Sequence, residues 1–174
     1  MKKSIYFTIF FLIVFVILSD VLAVKKIIPD SAIRMRVVPN SNSLYDQQIK
    51  NKVKNELQTS MYLLLKDTKG ISEARNVINN NISNIDQQID TLLKEENYNL
   101  GYKLNFSYNY FPAKEYKGVV YEEGYYESVL VTLGEGKGDN WWCVLFPPLC
   151  LLEAEESDEV EYKSFIKELI QKYL

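Results

Sequence analysis

The residue types in this chain that could do chemistry crowd into one stretch, GEGKGDNWWCVLFPPLC, at positions 134–150. It holds three closely spaced glycines, two tryptophans and two cysteines around a proline pair. Gly134, Gly136 and Gly138 follow an alternating segment, as phosphate-binding loops follow strands. Their spacing fits neither GxGxxG nor GxxxxGK[ST], and no helix-forming segment comes next. Glu135 and Asp139 would also repel a phosphate. The run therefore reads as a mobile or bulged turn, with glycine at positions of positive φ. Cys143 and Cys150 are separated by six residues, not the two of a redox-active Cys-x-x-Cys pair. In an oxidising compartment they are a disulfide candidate, closing a short loop worth roughly 2.5 kcal/mol in the chain-entropy picture. Buried free thiols, or a membrane-facing pair open to acylation, are the alternatives. Trp141 to Phe146 offers no polar partner beyond the indole nitrogens. Neighbouring residues on a regular element point apart, so one tryptophan can anchor the core while the other reaches the surface, where aromatics suit an interface.

Catalysis finds little support. Glu122, Glu123, Glu127 and Glu135 lie in and just beyond a tyrosine-rich segment, and a pair of carboxylates is what a glycosidase needs. Nothing in the sequence places two of them at catalytic separation, and acidic loop residues are usually solvated. The chain has no histidine, which removes the commonest general base, the triads that depend on it, and most zinc and haem sites. No catalytic residue, metal site or cofactor is expected. A net charge of −3 argues against nucleic acid as a partner.

The elements that must position these residues follow from periodicity. A length of 174 residues and a hydrophobic content of 47% fit one globular domain with a real core. At the N-terminus, Lys2 and Lys3 precede an apolar run from Ile5 to Leu18, followed by Val21-Leu22-Ala23. Residues 1–24 read as a signal peptide or an uncleaved signal-anchor, placing the rest outside the cytoplasm. Residues 25–31 form a linker, 32–152 a single α+β domain, and 153–174 an acidic segment with an amphipathic C-terminal helix. Within the domain, Ile33, Met35 and Val37 alternate with Arg34 and Arg36, the period of a half-buried strand. Ser43 is placed to cap a helix with Asp46 in its first turn. Ile49, Val53, Leu57, Met61 and Leu64 then recur at helical spacing up to Gly70, a C-terminal signal. A second stripe runs through Ile71, Ala74, Ile78, Ile85, Ile89 and Leu92. Two alternating segments follow, Leu100 to Tyr110 and Tyr125 to Leu133, with a loop carrying Tyr116 and Gly118 between them. The expected architecture is α+β in the order β-α-α-β-β, an antiparallel sheet covered on one face by two helices.

The opening stretch resembles a signature of the stage II sporulation protein R family, and so do IRMRVVPNSNS (33–43) and GVVYEEGYYES (118–128). Together the three motifs span about residues 33 to 150, while the helical spacers and the tail beyond Leu151 carry little of the likeness. Pro39 and Asn42 stand where Ala and Asp are more usual, both mild departures. The resemblance implies a signalling protein of endospore-forming bacteria, exported from the forespore into the space between the two membranes or anchored there. Its implied partner is a membrane-embedded aspartyl protease that matures the precursor of sigma factor E. Motif chemistry selects the contact residues: Arg34, Arg36 and Asn40 for polar recognition, Trp141 and Trp142 as apolar anchors. The competing reading is a cell-wall hydrolase or glycan-binding module using residues 116–127.

Overall fold

The computed structural model describes residues 31–116 and 119–147, with Leu12 alone before them. The signal segment 1–24 apart from Leu12, almost all of the 25–31 linker, Gly118, Cys150 and the acidic and helical tail 153–174 lie outside the described residues. Strand β1 (Ile33–Val38) leads into helices α1 (Leu44–Leu65) and α2 (Ile71–Glu95). Then come β2 (Tyr102–Phe111), the short strands β3 (Lys114–Tyr116) and β4 (Val119–Tyr121), β5 (Gly124–Leu133) and β6 (Trp141–Phe146).

The helices form where their apolar stripes demand. Ser43 caps α1, accepting the Asp46 N–H at 3.1 Å, and Ile49, Val53, Leu57, Met61 and Leu65 face inward. Each stripe drifts by one residue at its end: Leu65 and Leu93 are buried, whereas Leu64 and Leu92 only pack at the margin. Gly70 does not end α1. It is the extended N-cap residue of α2, and α1 stops at Leu65, where Lys66 N–H bonds Tyr62 C=O.

Four strands form one sheet in the order β2-β5-β1-β6, while β3 and β4 pair separately. The sheet is mixed, which corrects the antiparallel expectation: β1 runs parallel to β5 and antiparallel to β6, and β5 runs antiparallel to β2. The reason is parity. Two antiparallel helices return the chain to the end where β1 finished, so β2 runs opposite to β1 and its hairpin partner β5 runs with β1. Because β5 inserts between β2 and β1, the pairing with β1 is parallel. Trp141 to Phe146, not expected as a strand, then pairs on the far side of β1.

Both helices cover one face. Ile33, Met35 and Val37 of β1 and Val129, Val131 and Leu133 of β5 meet the helix stripes in a continuous core. Burial of such side chains, each worth about 1.5–3 kcal/mol, holds the layers together.

Candidate functional site

The β5–β6 connection must pass over the C-terminal end of β1, and the polar residues after β1 receive it there. Asn40 C=O accepts Lys137 N–H and Pro39 C=O accepts Gly138 N–H, both at 3.0 Å. The Asn40 side chain accepts Glu135 N–H through Oδ1 at 3.0 Å and donates from Nδ2 to Asp46 at 3.1 Å. Asn42 Oδ1 accepts Asp139 N–H at 2.6 Å. Asp46 also accepts the Ser41 hydroxyl, and that hydrogen bond chiefly holds its carboxyl below the usual carboxylate range. The glycines make this approach possible. Gly134 and Gly136 have φ of +54° and +64°, and a Cβ on Gly138 would stand 2.3 Å from Ser41 C=O. The expected glycine turn is thus a knot tied to residues 39–42, with a backbone-to-backbone fit that excludes side chains.

The sheet face away from the helices carries the second feature. Arg34 is only 2% exposed. Its guanidinium carbon lies 3.3 Å from the Tyr126 ring centroid, with Trp142 at 5.2 Å and Phe111 at 5.3 Å. Phe111 stands edge-on to both Tyr126 and Trp142, and Tyr121, at the end of the small β3–β4 hairpin, stands edge-on to Trp142 at 4.7 Å. Arg36 lies above Phe111 at 5.4 Å and donates to Tyr110 C=O at 3.0 Å, and its burial pushes its pKa down. This is an aromatic cage around a desolvated cation, where each contact is worth up to about 2 kcal/mol.

The expected contact residues divide accordingly. Arg34, Arg36 and Trp142 come together on the outer face, with Arg36 directly opposite Trp142 across the β1–β6 pair. Asn40 belongs to the knot. Trp141 turns to the helix side, packs at the core margin and carries Lys54 Nζ 5.5 Å from its ring. Both tryptophans remain half-buried. Alternation predicts a wet face for Arg34, but the rings of Phe111, Tyr126 and Trp142 enclose it there, with Tyr121 packed on Trp142. Tyr126, Phe111 and Tyr121 were missed as cage members. Their signal was present only as an alternation that places Phe111 and Tyr126 on the Arg34 face. Cys143 is half-buried on β6.

The carboxylates are spread apart. Glu127 is buried on the helix face and forms a bidentate pair with Arg75, at 2.7 and 2.8 Å, which raises the arginine pKa. Glu123 accepts the Tyr110 hydroxyl at 2.9 Å, and Glu135 pairs with Lys137 on the exposed turn.

The profile of the stage II sporulation protein R family matches residues 29–156, a range that includes the knot and the cage. Stage II sporulation protein R of Bacillus subtilis (strain 168) is 40% identical over 135 residues, covering 78% of this chain and 60% of that protein. No solved structure matches. With most of the chain matched, and both clusters inside the match, the chain belongs to the stage II sporulation protein R family.

Proposed function

We propose that this chain is an exported signal of endospore formation that acts by contact. It binds a membrane-embedded aspartyl protease from the extracytoplasmic side and so turns on maturation of the sigma factor E precursor. Family membership carries the reading. The geometry supports contact chemistry. Arg36 and Trp142 sit opposite one another, both half-exposed, on a face made rigid by the caged Arg34, with the Asn40 knot at the adjoining strand end. Arg34 itself presents almost no surface, so its part is to hold Tyr126 and Trp142 in place. A ligand of this kind activates its receptor by binding one conformation better than the other and needs no reaction of its own. Outside the cytoplasm Cys143 and Cys150 would form a disulfide, and alkylation without reductant should then find no free thiol.

Co-expression in a non-sporulating host tests the reading. With chain, protease and precursor all present and the chain exported, the precursor is expected to be cleaved, and omission of the chain should abolish cleavage. An uncleaved precursor with all three in place would sink the proposal. The glycan-directed reading keeps one observation in its favour, the exposed Tyr110 and Tyr125 rings beside Glu123. Glu127, however, is committed to Arg75. Replacing Glu122 and Glu123 together by Gln, which spares that ion pair, should leave signalling nearly intact if the chain is a ligand and remove most activity if it is a hydrolase.

A further inference from the structure

Among the described residues, the outer edges of β2 and β6 pair with no other strand. The β2 edge stands apart in length and regularity. Its ten residues pair with β5 in one unbroken register, from Tyr102 opposite Leu133 to Phe111 opposite Gly124. The even-numbered residues of β2 turn their N–H and C=O groups to the other edge, a row about 33 Å long in which the Tyr110 C=O already accepts from Arg36. Soluble proteins blunt such edges with proline, bulges or charges along the strand. β2 contains no proline and no bulge, and its one charged residue is Lys103, next to its start. On the helix side the edge is flanked by aromatic surface that the helices leave uncovered. Tyr108 is 67% exposed and Tyr110 48%, and Tyr110 touches Tyr125, which is 71% exposed.

We propose that the β2 edge is a self-association surface, through which two copies of this chain pair antiparallel and join their sheets into one. A strand edge is complementary to another backbone strand, and the pattern of β2 is complementary to itself. In a two-fold antiparallel pairing, each residue meets its mirror position on the same face. Centred on Phe106, the pairing sets Tyr102 against Tyr110, Leu104 against Tyr108, and Asn105 against Ser107. Centred on Ser107, it sets Leu104 against Tyr110, Phe106 against Tyr108, and Asn105 against Asn109. Either register joins apolar to apolar on the helix side and, at the middle of the other face, amide to amide or hydroxyl. The two copies of Lys103 fall at opposite ends, facing Asn109 or Phe111, so the one charge of the strand does not oppose pairing. This proposal does not depend on the signalling reading.

The test uses the full chain, exported in cells and treated with a short bismaleimide. Ser107→Cys or Asn105→Cys is expected to give a cross-linked dimer. The unsubstituted chain and Asn51→Cys, which puts a cysteine on the exposed side of α1, should not. Adding Tyr108→Lys sets an ammonium against the apolar face of the partner copy and should cut the cross-linked fraction roughly tenfold or more. Tyr108 is exposed, so the variant should fold, and unchanged circular dichroism would check that. The proposal is overturned if neither cysteine variant cross-links above the Asn51→Cys level, or if the cross-link survives Tyr108→Lys in a folded chain.

Discussion

At the scale of residues, the sharpest feature is a cation held where water is nearly absent. The planar guanidinium of Arg34 can stack on Tyr126 while Trp142 and Phe111 close around it, a fit that a compact ammonium cannot reproduce. Arg34→Lys keeps the charge and should still cost about 1–3 kcal/mol of stability, read as a lowered chemical-denaturation midpoint. An Arg34→Lys chain as stable as the parent would show that the cage contributes little. Asp46 gives a second prediction with a definite sign. Its folded pKa lies below its ordinary value of 3.8, mainly through the Ser41 hydroxyl. The ionised carboxylate therefore adds stability that is present above that value and lost as pH falls through the folded pKa. Asp46→Asn should be less stable than the parent by about 1–3 kcal/mol at neutral pH. Denaturation at several pH values should show the difference shrinking as pH drops below about 4.

At the scale of elements, the knot between residues 39–46 and 134–139 fixes how β6 reaches its place beside β1. Gly138→Ala puts a methyl into the Ser41 carbonyl, and backbone on backbone cannot yield without moving a strand end. Thermal unfolding should show a loss of about 1–3 kcal/mol. Ala at Gly70, where a Cβ meets nothing within 4 Å, should change stability far less. Much at this scale was legible. Alternation in 33–38 and 102–111 and the stripes of α1 and α2 announce their elements, because each buries one face. The order of strands was not legible, since a strand buried on one face reads alike in a parallel or an antiparallel pair. The brief strands β3 and β4 were hidden by their length, three residues each. In β6, WWCVLF is apolar throughout and shows no period, so nothing announced a strand. The glycine turn was legible as a turn but not as a knot, because its partners lie about 95 residues earlier. For the same reason the Arg34 cage is only half visible: the sequence singles out the arginine, while the rings that enclose it come from three other strands.

At the scale of the whole molecule, one layer of helices leaves the other sheet face to aromatic and polar side chains. At one end that face carries a cage and a half-exposed tryptophan–arginine pair, a surface suited to touching another protein. Trp142→Ala, which removes the half-buried ring and opens the cage, should weaken protease activation at least tenfold if that ring is a central contact. Arg36→Ala should weaken it less. Contact and catalysis differ most plainly in stoichiometry. The decisive measurement is a titration of the full chain against a fixed amount of protease and precursor in vesicles, following cleaved precursor alongside bound chain. A ligand predicts cleavage that rises with occupancy and saturates when each protease is bound. Full activation by a small fraction of an equivalent, with no chain retained on the protease, would contradict it.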